Sequence, residues 1–250
     1  MLRGIYTAAA GMVSEGLRND AIANNLANVN TTGYKRDVTV TKDFATFLIE
    51  RTGKDGSGAA PIGGMGYGDV VNEIATIYTN GQLQPTGNPL DLAVQGSGYF
   101  AVQTPNGVRY TRDGAFFRSG RGQLVTADGY QVLGTNNRPI TLPDGTASIS
   151  SDGRVTVAGQ PTGQLQLVEF GNDRSVLRKE GSNLFSTTNE AQPRRATGTV
   201  QQGSLERSNV NVISEMVNMI SGYRSYEMSG KMVQSQDSLL DKAVNEVGRV

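Results

Sequence analysis

ANNLANVNTTGYK, residues Ala23–Lys35, is where the chain changes character. Four Asn and two Thr offer side-chain groups that compete with helical backbone bonds, and Gly33 can take the left-handed conformation that turns a chain off a helix end. Read backwards from this stretch, Leu2, Ile5, Ala9, Met12, Gly16, Asn19, Ala23 and Leu26 recur at three- and four-residue steps with no proline among them, which predicts an amphipathic helix over 2–29. Read forwards, glycine takes over: 26 of the 32 Gly lie between Gly33 and Gly203, and all eight Pro between Pro61 and Pro193. The helical material returns only at the far end. Val212, Met216, Met219, Tyr223, Tyr226, Gly230, Val233, Asp237, Leu240, Val244 and Val247 repeat the same spacing, and Asn209–Val247 contains no proline.

Between the two ends the signal is β. Asp-Gly begins at 55, 113, 128, 144 and 152 and Asn-Gly at 80 and 106, dipeptides suited to type I′ hairpin turns, in which both central residues need positive φ. Short strand-like runs separate them: 90–94, 99–102, 108–111, 123–126, 130–133, 154–157 and 165–170. The pattern predicts an antiparallel meander rolled into a sandwich or small irregular barrel. Gly53–Gly68, with seven Gly in sixteen positions, reads as a loop or extended linker. The expected fold class is therefore α+β, with long N- and C-terminal helices of coiled-coil type forming one discontinuous domain around a central antiparallel β-rich domain. The expected boundaries are 1–32 for the first helix, 33–80 for an extended connection, 81–203 for the β domain and 204–250 for the last helix.

Composition excludes most chemistry. Lys plus Arg number 23 and Asp plus Glu 23, so there is no net field to recruit nucleic acid or an anionic membrane surface. Cys, His and Trp are absent from the 250 residues, which removes thiolate nucleophiles, imidazole bases, disulfides and nearly every transition-metal site. Gly96-Ser97-Gly98 and the Gly63–Gly68 cluster lack the helix or the Lys-Ser/Thr that a phosphate-cradling loop requires. Four of the carboxylates Asp91, Asp113, Asp128, Asp144 and Asp152 open Asp-Gly turns, leaving Asp91 without a partner for glycosidic chemistry. Arg109, Arg112, Arg118 and Arg121, interleaved with Tyr110, Phe116 and Phe117, read as solvated hairpin edges. No catalytic, cofactor-binding or metal site is expected, and the chain is not expected to be an enzyme. Its N-terminal apolar run continues into polar Ser14–Asn19 and so is not expected to be a cleaved leader. No stretch is apolar for long enough to insert in a membrane as a helix.

Three ordered motifs together resemble the bacterial flagellar rod and hook family. The first is Ala23–Lys35, with Asn25, Leu26, Asn28, Thr31, Gly33 and Tyr34. The second is Asp91–Phe100 followed by Tyr110–Phe116. The third runs from Ser208, Asn209 and Val210 through Glu215–Ile220 to Arg224–Glu227. The resemblance implies a structural subunit exported through the flagellum-specific type III apparatus without a cleaved leader. It implies a helical polymer of identical copies in the basal body, in contact with other rod or hook proteins, without nucleic acid and without membrane insertion. The opening Met1–Tyr6 and the direct run from Gly33 into the β domain favour the proximal over the distal rod member. The expected subunit-contact residues are Leu2, Ile5, Ala9, Met12, Ala23, Leu26, Val212, Met216, Met219, Tyr223, Tyr226, Val233, Leu240, Val244 and Val247. The competing class is a secreted β-rich adhesin or carbohydrate-binding module on a helical stalk, which calls for an aromatic platform and a leader that the sequence does not display.

Overall fold

The computed structural model describes residues 2–43, 46–51, 60–66, 68–171, 176–188 and 193–247. Helix α1 spans Leu2–Ala27 and helix α2 spans Val212–Lys242, with a π-helical turn over Ala243–Val247. The described residues between them are mostly strand and turn, so the class is α+β. The chain divides into two compact units: Met1–Leu26 with Asp37–Ala75 and Val212–Val250, and Ala27–Arg36 with Thr76–Asn211.

In the first unit, α1 and α2 run antiparallel. A β-carbon built on Gly4 would lie 3.3 Å from Gln236, one on Gly11 3.6 Å from Ser229 Oγ, and one on Gly222 2.5 Å from Asn19 Oδ1. Glycines at the crossings let two backbones approach more closely than larger residues would. The stretch expected to be a plain connection carries strands: Asp37–Asp43 pairs with Asp69–Thr76, and Thr46–Arg51 with Ala60–Gly66. Alternation over Asp37–Asp43 is weak, Val38 and Val40 being its only apolar residues, which is why periodicity missed it. Residues 52–59 of the glycine-rich stretch lie outside the described residues.

In the second unit, seven strands form the main path of one antiparallel sheet, in the order Leu177–Glu180, Leu184–Thr187, Gly107–Thr111, Tyr99–Thr104, Gln131–Val132, Leu124–Thr126 and Phe116–Arg118. Leu167–Glu169 pairs both with Tyr99–Thr104 and with Arg194–Arg195. Ala147–Ile149, Arg154–Val157 and Gln160–Gln164 make a separate three-stranded sheet. Tyr99–Thr104 is covered on both sides: Phe100 and Val102 point into a core with Phe116, Leu124 and Val155, while Tyr99 and Ala101 join Tyr110, Phe170 and Phe185. The expected sandwich or small irregular barrel encloses one interior; here two cores flank one strand. Each large side chain so buried contributes about 1.5–3 kcal/mol.

The turns also differ from expectation. Gly107, Gly129 and Gly153 have positive φ, but the Asn or Asp before each does not, so these hairpins use one left-handed residue and are not type I′. Asn80-Gly81 and Asp113-Gly114 are not hairpin turns. A β-carbon on Gly81 would collide with the carbonyl of Arg207, and one on Gly114 with that of Leu92, so both glycines admit a crossing backbone.

Candidate functional site

Two surfaces hold the residues singled out above, one in each unit. In the helical unit the face that α1 turns to α2 is small and polar. Ala8, Gly11, Glu15, Asn19 and Ile22 are buried or half-buried on α1, and Glu215, Gly222, Ser229, Val233, Gln236 and Leu240 on α2. Glu15 Oε2 and Asn19 Oδ1 sit against Gly222, buried and without a donor among the described residues.

Of the expected contact residues, Ile5, Met12, Leu26, Val212, Met219, Val233 and Leu240 are half-buried. Ala9, Ala23, Met216, Tyr223, Tyr226 and Val244 are exposed. Leu2 and Val247 have side chains outside the described residues. At several turns the more buried residue stands one position before the expected subunit-contact residue: Ala8 before Ala9, Ile22 before Ala23, Glu215 before Met216, Gly222 before Tyr223. Close approach explains the shift, since Gly222 fits where Tyr223 would hold the helices apart.

Many of the large apolar side chains of these helices face outward. Tyr6 is 67%, Val13 66%, Ile213 75% and Val217 61% exposed, and Leu17, Ile220, Met228, Met232 and Leu239 are exposed with them. Exposed apolar side chains in this number mark a contact with another macromolecule. No described helix is long and apolar enough to cross a membrane.

The second surface is built around Glu206, whose side chain is fully buried. Its Oε1 accepts from Lys35 Nζ at 2.7 Å and from the Gly81 amide at 2.8 Å, and its Oε2 accepts from Arg112 at 3.2 Å. Lys35 also donates to the Thr79 carbonyl, and Arg112 to the carbonyls of Val94 and Gly96. Arg112, expected on a solvated edge, is 3% exposed and lies 5.0 Å from the centre of the Tyr99 ring. The loop after α1 closes on this cluster. Gly33, at φ 67°, donates its amide to the Glu206 carbonyl, and a β-carbon there would strike the backbone of Arg112 and Asp113. Tyr34 is buried under Lys179, whose Nζ sits 3.7 Å above the ring.

Asp113, expected to open a turn, accepts instead from Thr32, from Asn183 at 2.9 Å and from the Ala115 amide at 3.0 Å. Burial pushes its carboxyl above the ordinary value, against the lowering effect of those three donors. Asp91 accepts from Asn88, a local tie and not an arrangement for bond cleavage.

Each signature residue thus has a physical task. Asn25 exchanges two hydrogen bonds, both 2.8 Å, with the backbone of Asp37. Asn28 and Thr31 bond to each other in the loop. Asn209 accepts from the Arg36 amide and donates to the Ile77 and Thr79 carbonyls. Ser208 Oγ accepts from the Val210 amide just before α2. Leu26 is half-buried at the end of α1. Sequence reasoning missed Lys35, Arg112 and Glu206 as a group. They are up to 171 positions apart and follow no spacing rule.

The family described as "Flagella basal body rod protein" matches residues 5–35, "Flagellar hook protein FlgE/F/G D1 domain" residues 93–157, and "Flagellar basal body rod FlgEFG protein C-terminal" residues 201–246. The flagellar basal-body rod protein FlgG of Bacillus subtilis is 37% identical over 98% of this chain and 99% of its own. FlgG of Caulobacter vibrioides is 36% identical over 96% and 97%. The flagellar hook-basal body complex protein FlhO of Bacillus subtilis is 32% identical over the full length of both chains.

Proposed function

The chain belongs to the flagellar basal-body rod family and is a structural subunit of that rod, and from this premise we propose that it polymerises helically through its terminal helices. One observation carries the proposal: α1 and α2 approach at glycines and polar residues, with Met12 beside Gly230, while Tyr6, Val13, Ile213, Val217 and other large apolar side chains are left exposed. Covering such side chains with copies and with neighbouring rod or hook proteins contributes about 1.5–3 kcal/mol per fully buried residue, so many modest contacts hold the shaft. Heterologous contacts that do not close into a ring generate an open helix, the geometry of a drive shaft between motor and hook. Supercoiling of the helices in the assembled shaft belongs to the same proposal, as does export by the type III apparatus without a cleaved leader. A chain without cysteine cannot acquire disulfides that would hinder threading.

Met216→Asp places a charge on the outward surface. Its expected outcome is loss of the subunit from isolated basal bodies, read by immunoblot, while the β unit keeps its near-ultraviolet dichroism. Normal incorporation would overturn the proposal. Position along the rod is read by in situ reconstruction of basal bodies from a deletion strain. Density missing beside the membrane-embedded base makes the subunit proximal, and density missing beneath the hook makes it distal.

A further inference from the structure

We infer that the outer face of α1 is the docking surface for the outer face of α2 on a second copy of this chain, with the two helices antiparallel. The inference rests on the rod-subunit reading and adds to it the faces and the register. Tyr6, Ala10, Val13 and Leu17 stand at i, i+4, i+7 and i+11 of α1, and Ile213, Val217, Ile220 and Arg224 stand at the same intervals in α2. Residues so spaced share one side of a helix. Both sides point away from the intrachain seam: Val13 and Leu17 are each two positions, about 200°, from Glu15, and Ile220 is as far from Gly222.

Laid antiparallel, the two sets come into step. Leu17 meets Ile213, Val13 meets Val217 and Tyr6 meets Arg224, which sets a guanidinium against an aromatic ring, while half-buried Ala10, beside Gly68 of its own chain, lies level with Ile220. The same register brings exposed Asp20 to the level of Val210, beside the amino end of α2, where the helix dipole favours an acid. An acid therefore meets a favourable helix end beside the apolar strip.

Within one chain the two outer faces point in opposite directions and cannot meet, and the match of their spacing to each other commits the occupant to a second copy. The intrachain seam sets Gly4 opposite Gln236, whereas the outer register sets Tyr6 opposite Arg224. The two registers differ by about ten residues, so contacting copies are displaced along the helix axis. Each copy offers α1 on one side and α2 on the other. The contact is heterologous, and with the displacement it stays open.

The absence of cysteine makes the test clean. Val13→Cys and Val217→Cys chains, carrying tags of different size, are expressed together in flagellated cells, and isolated basal bodies are oxidised. The expected product is a mixed disulfide dimer, absent when either variant is expressed alone. Dimers of Val13→Cys with itself or of Val217→Cys with itself would overturn the inference, since they require like faces to meet. So would assembled rods that contain both variants and yield no mixed dimer, a result that leaves the rod-subunit reading standing. Failure of the wild-type chain to enter basal bodies would defeat the rod-subunit reading itself. If only the two variants fail to enter, Leu17→Cys with Ile213→Cys carries the same test at the next contact.

Discussion

The two units bury opposite kinds of residue. In the β unit, Phe100, Val102, Tyr99 and Ala101 are enclosed on both sides of a single strand, and even the charged Glu206, Lys35 and Arg112 are enclosed together. In the helical unit the enclosed residues among those described are Ala21, Ile22, Asn25, Glu215 and Gly222, while Ile213, Val217 and Tyr223 lie in the open. The difference teaches where each unit finds its stability. The β unit encloses most of its large apolar side chains within the chain; the helical unit leaves many of its own exposed.

The comparison breaks most visibly at Glu206. Glu206→Ala leaves Lys35 and Arg112 as buried cations without their counter-charge, a change that costs about 3–5 kcal/mol. Urea unfolding should show that loss in the tyrosine signal of the β unit. The outward helical residues, being uninvolved, should still exchange their amides at the wild-type rate. Equal loss in both units would mean that they do not stabilise themselves separately.

A smaller effect is expected at the helical seam. Gly222→Leu forces a side chain against Asn19 and Glu15 and should cost about 1–3 kcal/mol, as overpacking does. Faster amide exchange in 8–22 and 215–236, with unchanged protection over 99–104, is the outcome that sharpens the comparison. Unchanged exchange in both helices would show that the glycine is not needed for their approach.

The smallest effect is a pH dependence. Burial raises the carboxyl of Asp113 above its ordinary value of 3.8. Between that value and the raised one, the unfolded chain has released the proton and the folded chain still holds it. The group therefore adds stability below about pH 4 that fades as pH rises through the folded value. The stability difference between wild type and Asp113→Asn, measured by urea midpoints across that range, should move against the wild type as pH rises. A difference that is flat with pH would show that Thr32, Asn183 and the Ala115 amide offset the burial.

Much of this was legible in local pattern. All seven strand-like runs of the middle region coincide with observed strands or overlap them, because a period of two and the glycines that end it are properties of a few neighbouring residues. Asn25 and Gly33 could be recognised as a place where a helix stops. Their partners could not: Asn25 reaches across to Asp37 and Gly33 to Glu206. The helical stripe could not say whether Ala9, Ala23, Met216 and Tyr223 turn inward or outward, for a related reason. Periodicity says that one face is apolar, and equating that face with the inside assumes a chain that keeps its apolar surface to itself.

The sequence by itself determined the long helices at either end, the turn-rich β middle and, through the motifs around Gly33 and Asn209, the family. All of these follow from short-range backbone preferences and residue spacing. Only the tertiary structure decided which side of each helix faces inward, and that Lys35, Arg112 and Glu206 form one buried cluster. Those outcomes depend on how closely two backbones can approach and on the cost of an unpaired charge away from water, and both are set by residues brought together from far along the chain.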